Sequence, residues 1–209
     1  MTSPAVPVFR NNWFNESIKQ GWKPLIASLR PRLLLEIGSY EGASACFLID
    51  ELYRNKIHQP KLFCVDTWEG GIEHQENNVD MNSIRSVFES NIGLARQASS
   101  NYVDIEVLPR RSDEALPWLI HAGYKERFDF IYVDGSHQAP DVLVDAVLSA
   151  LLLRKGGVLV FDDYFWRDRM SRYDGLRSPS VAIDAFKQIY FKTFEAVGSI
   201  DRQVVFRKM

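Results

Sequence analysis

Three carboxylates stand directly after apolar runs. Phe128-Asp129-Phe130-Ile131-Tyr132-Val133 leads into Asp134, and Val158-Leu159-Val160-Phe161 leads into Asp162 and Asp163. Between them lies a helix-length segment, Pro140 to Arg154, closed by Gly156-Gly157. A strand, a helix and a strand of such lengths make a right-handed parallel crossover. Both acidic sites then fall at the carboxyl ends of neighbouring strands, the edge where open α/β sheets bind ligands. Carboxylates converging there repel one another and are costly unless a cation or ligand compensates them. His137, three residues after Asp134 in the turn before Pro140, can reach the same cavity. An ordinary imidazole pKa near 6.5 suits a general base at neutral pH. The alternative for His137 is a loop histidine bonded to backbone. For Asp162 or Asp163 it is a cap on the following turn.

A second chemical signal is the run Glu36-Ile37-Gly38-Ser39-Tyr40-Glu41-Gly42 after a short apolar stretch. Glycine between a strand and a helix lets backbone approach a ligand. A dinucleotide fingerprint would need a glycine at position 40. Tyr40 stands there, where a pyrophosphate would touch backbone, so NAD and FAD are disfavoured. Asp66 ends the next apolar run and can accept from both hydroxyls of a ribose. A ligand with a ribose and no phosphate at this point is S-adenosylmethionine. Tight packing of helix on strand is the other use of Gly38 and Gly42.

These residues must be held by elements that the hydrophobic pattern predicts. Residues 1–14 read as an arm, followed by a helix up to Arg30 with Pro24 starting its second part. Strands are predicted at 33–37, 61–65, 104–108, 128–133 and 158–161. Helices are predicted at 42–52, 83–98, 113–122, 140–154 and 181–190, and a closing antiparallel pair at 194–197 and 203–207 around Gly198-Ser199. Two long polar segments, Thr67 to Asn82 and Arg167 to Pro179, can cover a site. The second carries Arg167, Arg169, Arg172 and Arg177, suited to an acidic acceptor or to pairing with Asp168 and Asp174. His58, His74 and His121 read as surface residues, with His74 nearest the site. Alternation of strands and helices predicts an α/β fold, and residues 1–209 read as a single domain with 1–30 as its N-terminal arm and helix. The 46% hydrophobic and 25% charged content fits a soluble globular chain, and a net charge of −2 gives no case for a nucleic-acid groove. No apolar run reaches membrane-spanning length, and the N-terminus lacks the order of a signal peptide. Cys46 and Cys64 read as reduced core residues, and a cytoplasmic location is expected.

The ordered set Glu36-Ile-Gly-Ser-Tyr-Glu-Gly42, Asp66-Thr-Trp68, Asp134-Gly-Ser-His137, Gly156-Gly157 and Asp162-Asp163-Tyr164 resembles the class I S-adenosylmethionine-dependent methyltransferases. Within them the likeness is to metal-dependent O-methyltransferases of sugars and other small molecules, over about residues 30–166. The resemblance implies a doubly wound, mostly parallel, seven-stranded Rossmann-like sheet with a C-terminal antiparallel hairpin. It implies that Glu36 and Gly38 line the methionine end of S-adenosylmethionine, with Ser39 and Gly42 as further cofactor-binding residues. Asp66 would hold the ribose, residues near Ser112 and Asp113 would flank the adenine, and Trp68 and Asp134 would also bind the cofactor. It implies one Mg²⁺ on Asp134, Asp162 and Asp163, hard oxygen ligands that suit this ion, and His137 as the catalytic base. The expected partner is a small hydroxylated molecule, with a homo-oligomer left open. The rival expectations are a cation-independent methyltransferase, with the trio structural, and a catalytically idle binding module of the same fold.

Overall fold

The structure, a computed structural model, describes residues 5–167 and 175–209. Its elements run α1 (Glu16–Leu29), β1 (Leu33–Ile37), α2 (Ala43–Arg54), β2 (Lys61–Val65), α3 (Ile72–Glu76), α4 (Met81–Ala98), β3 (Asp104–Leu108), α5 (Ser112–Leu119), β4 (Phe128–Val133), α6 (Ala139–Leu152), β5 (Leu153–Phe161), α7 (Pro179–Ile189), β6 (Phe194–Ile200) and β7 (Gln203–Lys208). The sheet has seven strands in the order β3-β2-β1-β4-β5-β7-β6. β1 to β5 are parallel, and β7 and β6 return antiparallel. The expected mixed, doubly wound sheet is what forms.

Central strands are buried on both faces, which is why they read as continuous apolar runs. Leu34, Leu62, Phe130 and Val160 point to one layer with α1, α2 and α4. Leu35, Phe63, Ile131 and Leu159 point to the other with α5, α6 and α7. On α1, Ile18, Trp22 and Ile26 are spaced at helical intervals and fully buried. The Asn15 side chain caps that helix by accepting from the Ile18 amide at 3.1 Å.

Four local expectations are corrected. One helix runs through Pro24 rather than restarting there. α6 ends at Leu152, and Gly156-Gly157 lie inside β5, where the register shifts against β4. Gly156 has φ +75, and a Cβ on Gly157 would stand 2.9 Å from the Arg154 carbonyl oxygen, so the pair makes a bulge. The polar segment after Asp66 holds the short helix α3. The closing hairpin turns at Asp201-Arg202, with Gly198 within β6 beside a register shift. Asp168, Arg169, Arg172 and Asp174 lie outside the described residues.

Candidate active site

The carboxyl ends of β1, β2 and β4 open into a cavity of about 900 Å³. Its floor begins at Gly38, with φ +87, where an added Cβ would stand 2.0 Å from the Asp134 carbonyl oxygen. No side chain fits where these two strand ends approach. Asp66 organises the turn: its Oδ2 accepts from the Ser39 and Tyr40 amides at 2.9 Å each, and its Oδ1 from the Trp68 amide at 2.7 Å. Tyr40 and Trp68 have φ +48 and +53, a conformation that costs a non-glycine residue roughly 1 kcal/mol or more. Those amide bonds, and one from the Trp68 indole N–H to the Tyr40 carbonyl at 2.9 Å, hold them there.

Gly38, Ser39 and Asp66 line the cavity, as do Ser112, Asp113, Asp134, His137 and Asp163. Glu36, Gly42 and Trp68 stand behind the cavity wall, and Asp162 lies beneath it beside Asp134 and Asp163. Glu36 is fully buried beneath the loop and accepts from the Ser39 and Ser44 hydroxyls. Burial, against those two donors, pushes its carboxyl up to about 7. Gly42 starts α2 with φ +82, and a Cβ there would meet the Phe88 ring at 3.0 Å. Trp68 is buried on the same ring, 4.7 Å between centroids. These residues shape the wall from behind.

Asp134, Asp162 and Asp163 each bring one carboxylate oxygen within 4.8 Å of the others. Asp162 has no exposed side-chain surface, and its oxygens are occupied. Oδ2 accepts from the Tyr132 hydroxyl and from Gln203 Nε2 at 2.8 Å, and Oδ1 accepts from the Asp163 amide at 2.7 Å. Arg202 Nε stands 2.7 Å from Oδ1 of both Asp162 and Asp163. Burial, and then Asp162 and Asp163, hold the Asp134 carboxyl well above the usual range. The Tyr132 hydroxyl touches Asp134 as well as Asp162 but has one proton to give. Both contacts are hydrogen bonds when Asp134 carries a proton of its own. Three hard oxygen donors, one forced toward protonation by its neighbours, suit a divalent cation in place of that proton. The ion would share Asp162 and Asp163 with Arg202.

His137 sits at the strand end where it was expected, in different electrostatic surroundings. Its Nε2 is 3.0 Å from Asp163 Oδ2, and its Nδ1 is 3.1 Å from Glu73 Oε1, on α3. The Trp166 ring stacks on it at 4.2 Å and 22°. Burial alone would lower its pKa, but Asp163 and Glu73 outweigh burial and push it up to about 10. The two flanking carboxylates favour the imidazolium, which donates to both. Burial works against Glu73 too, but His137 brings that carboxyl down to about 2.

Sequence reading missed Glu73, Tyr132 and Arg202. Glu73 and Arg202 come from a short helix and a tight turn that carry no pattern of their own. Trp13 and Phe165, more than half exposed, add aromatic surface at the mouth, with Trp13 5.0 Å from Tyr40. Arg177 pairs with Glu76 of α3 at 3.3 Å. Arg167 donates to the Trp166 carbonyl and the Ser178 hydroxyl.

The profile of a family described as a methyltransferase domain matches residues 35–164. An uncharacterised protein of Acanthamoeba polyphaga mimivirus is 26% identical over 131 residues, 62% of this chain and 50% of that protein, so the chain spans about half the length of this curated relative. The O-methyltransferase TomG from Streptomyces achromogenes, involved in tomaymycin synthesis and solved with S-adenosylmethionine, superposes with a TM-score of 0.63 at 18% identity, covering 96% of this chain and 83% of its own. An O-methyltransferase from Bacillus cereus, solved with S-adenosylhomocysteine, gives 0.59 at 18% identity, over 93% and 82%.

Proposed function

This chain belongs to the methyltransferase-domain family, and from that premise we propose that it is an S-adenosylmethionine-dependent O-methyltransferase acting on a hydroxyl of a small molecule. The observation that carries the proposal is one cavity containing the Gly38-Ser39 turn, Asp66 and the cavity-facing carboxylates of Asp134 and Asp163. Its volume is in the range of small-molecule sites, about 300–1,000 Å³. S-adenosylmethionine when bound supplies a methyl group on a cationic sulfur, which departs as a neutral thioether. A Mg²⁺ ion held by Asp134, Asp162 and Asp163 would supply positive charge that acidifies the acceptor hydroxyl.

The protein's own share is positioning and charge. Gly38 lets the backbone approach the cofactor, and the one acceptor position of Asp66 that the Ser39, Tyr40 and Trp68 amides leave open, on Oδ1, would take a ribose hydroxyl. Trp13, Tyr40 and Trp166 bound the acceptor's side of the cavity and limit water there. The hydroxyl oxygen gains the methyl carbon and loses its proton to a cavity base. Asp163, held ionised against burial by His137 and Arg202, can take that proton directly, and Asp134 can do so once its own proton has been displaced. His137 can take it once it has given up a proton of its own.

The contact of Arg202 with Asp162 and Asp163 favours a second reading, in which the guanidinium alone compensates these acids and no cation is needed. Methyl transfer from labelled cofactor to a panel of diols and phenols, with and without excess chelator, separates the two. Loss of turnover in chelator, with cofactor binding intact, supports the cation, and full turnover in chelator supports Arg202.

A further inference from the structure

His74 reads as a surface residue in the sequence, but in the structure it lines the cavity from α3, with its side chain 17% exposed. Its Nδ1 accepts from the Gly71 amide at 3.1 Å. A backbone amide can only donate, so Nδ1 holds a lone pair and the ring proton sits on Nε2. Burial lowers the His74 pKa and the His137 imidazolium adds to that, against Glu73 and Asp66. The ring is therefore uncharged at neutral pH, and it offers the cavity a donor rather than a base. Among the described residues Nε2 has no hydrogen-bond partner, and it is not sealed from solvent. The ring lies against Tyr40, 5.4 Å between centroids, and Tyr40 lies against Trp13. A donor of fixed direction is thus left open beside an aromatic wall.

We propose that His74 selects the acceptor: its Nε2–H donates to an uncharged oxygen, a carbonyl or an ether, carried by the acceptor apart from the hydroxyl that is methylated. The inference rests on the methyltransferase reading above and adds to it the class of acceptor. Place argues for the acceptor over the cofactor. Glu73, beside His74 on α3, reaches His137 at 3.1 Å, and His137 reaches Asp163 at 3.0 Å, at the reacting end of the cavity. Charge argues for an uncharged oxygen. A neutral imidazole supplies a dipole and no net charge, and Glu73 Oε1 stands 3.7 Å from its Nδ1. A carboxylate or phosphate on Nε2 would face Glu73 across the ring with no charge from His74 to offset it. A carbonyl or ring ether needs only the one donor to replace the water it gives up. Tyr40 and Trp13 supply apolar ring surface for the rest of such a molecule.

The test measures methyl transfer from labelled cofactor to matched pairs that exchange one oxygen for carbon at nearly constant shape: protocatechualdehyde against vinylcatechol, and a tetrahydropyran diol against the corresponding cyclohexane diol. The proteins are wild type, His74→Phe, which keeps a ring on Tyr40 without a donor, and His74→Gln, whose amide can accept from Gly71 and still donate. Each is first shown folded by circular dichroism and titrated with S-adenosylhomocysteine. Wild type should show a KM roughly fivefold lower for the oxygen-bearing member of at least one pair, the effect of about one neutral hydrogen bond. His74→Phe should raise that KM to the level of the carbon member with kcat changed by less than about twofold, and His74→Gln should recover most of the preference. The imidazole nitrogen spectrum of wild type should show His74 as the Nε2–H tautomer at neutral pH. No preference in wild type, a preference that survives in His74→Phe, or a proton on Nδ1 overturns the assignment while the methyltransferase reading stands. Weakened S-adenosylhomocysteine binding in His74→Phe would put the donor on the cofactor and overturns it as well. If wild type binds no S-adenosylhomocysteine, or binds it and methylates neither pair, the reading beneath falls and takes this assignment with it.

Discussion

Two buried side chains in this site carry charge states that their residue types do not suggest. The flanking carboxylates keep His137 an imidazolium, so removing one should bring its pKa down. In Glu73→Gln we expect the imidazole titration, followed by proton NMR, to move from about 10 toward the ordinary 6.5. A titration unmoved by the substitution would mean that Glu73 does not face the ring in solution. Glu36 gives a stability prediction. Its folded pKa, pushed up to about 7, lies above the ordinary 4.5, so its contribution is full below pH 4.5 and is lost as pH rises through 7. For a fully buried carboxyl this amounts to at most about 3 kcal/mol. Glu36→Gln should therefore flatten the fall in denaturation free energy between pH 5 and 8, and a slope equal to wild type would show the carboxyl to be hydrated. Neither charge state was legible in the sequence. His137 is named by its spacing from Asp134, but its pKa is set by Glu73, which is remote in the chain. Glu36 was expected on the cavity wall because it opens the glycine run, but its own Ser39 and Ser44 turn it into the core.

Among the elements, the strands were legible because burial on both faces leaves nothing but apolar residues between Leu33 and Ile37 except Glu36, and between Leu62 and Val65. The short and irregular pieces were not. α3 spans five residues, below the length at which a helix holds itself, and it is tied down by Glu73 on His137 and by Glu76 on Arg177. The hairpin turn follows the register of β7 on β5 rather than the glycine that suggested it. Two glycines test how much the first turn depends on close approach. Gly38→Ala puts a methyl against the Asp134 carbonyl and should cost several kcal/mol in urea denaturation, on the order of the ~3 or more seen for strain and overpacking together. Gly93→Ala, in the middle of α4 with nothing within 4 Å of the new Cβ, should instead stabilise by about 0.5–1 kcal/mol. Equal effects at the two positions would contradict the tight crossing of β1 and β4.

Across the whole molecule, distant segments meet at the acids. The Trp22 indole of α1 donates to Gln203 at 2.7 Å, and Gln203 donates to Asp162, so the N-terminal helix and the closing hairpin both fix the trio from behind. The arm is anchored across the mouth, with the Arg10 amide on Glu41 at 2.8 Å and Arg202 on the Trp13 carbonyl at 2.9 Å. No helix among the described residues is long and apolar enough to cross a membrane. Asp134, Asp162 and Asp163 were legible as a group because each ends an apolar run. Arg202, which neutralises two of them, was not, since nothing near it in sequence marks the turn it occupies. All of this architecture serves one claim, that the cavity above β1, β2 and β4 is a cofactor site for methyl transfer. Calorimetric titration of S-adenosylhomocysteine into wild type and Asp66→Ala tests it most directly. We expect binding of one equivalent to wild type, weakened at least about tenfold in Asp66→Ala by loss of the ribose acceptor and of the turn it holds. No binding to wild type, or equal binding to a folded Asp66→Ala, would contradict it.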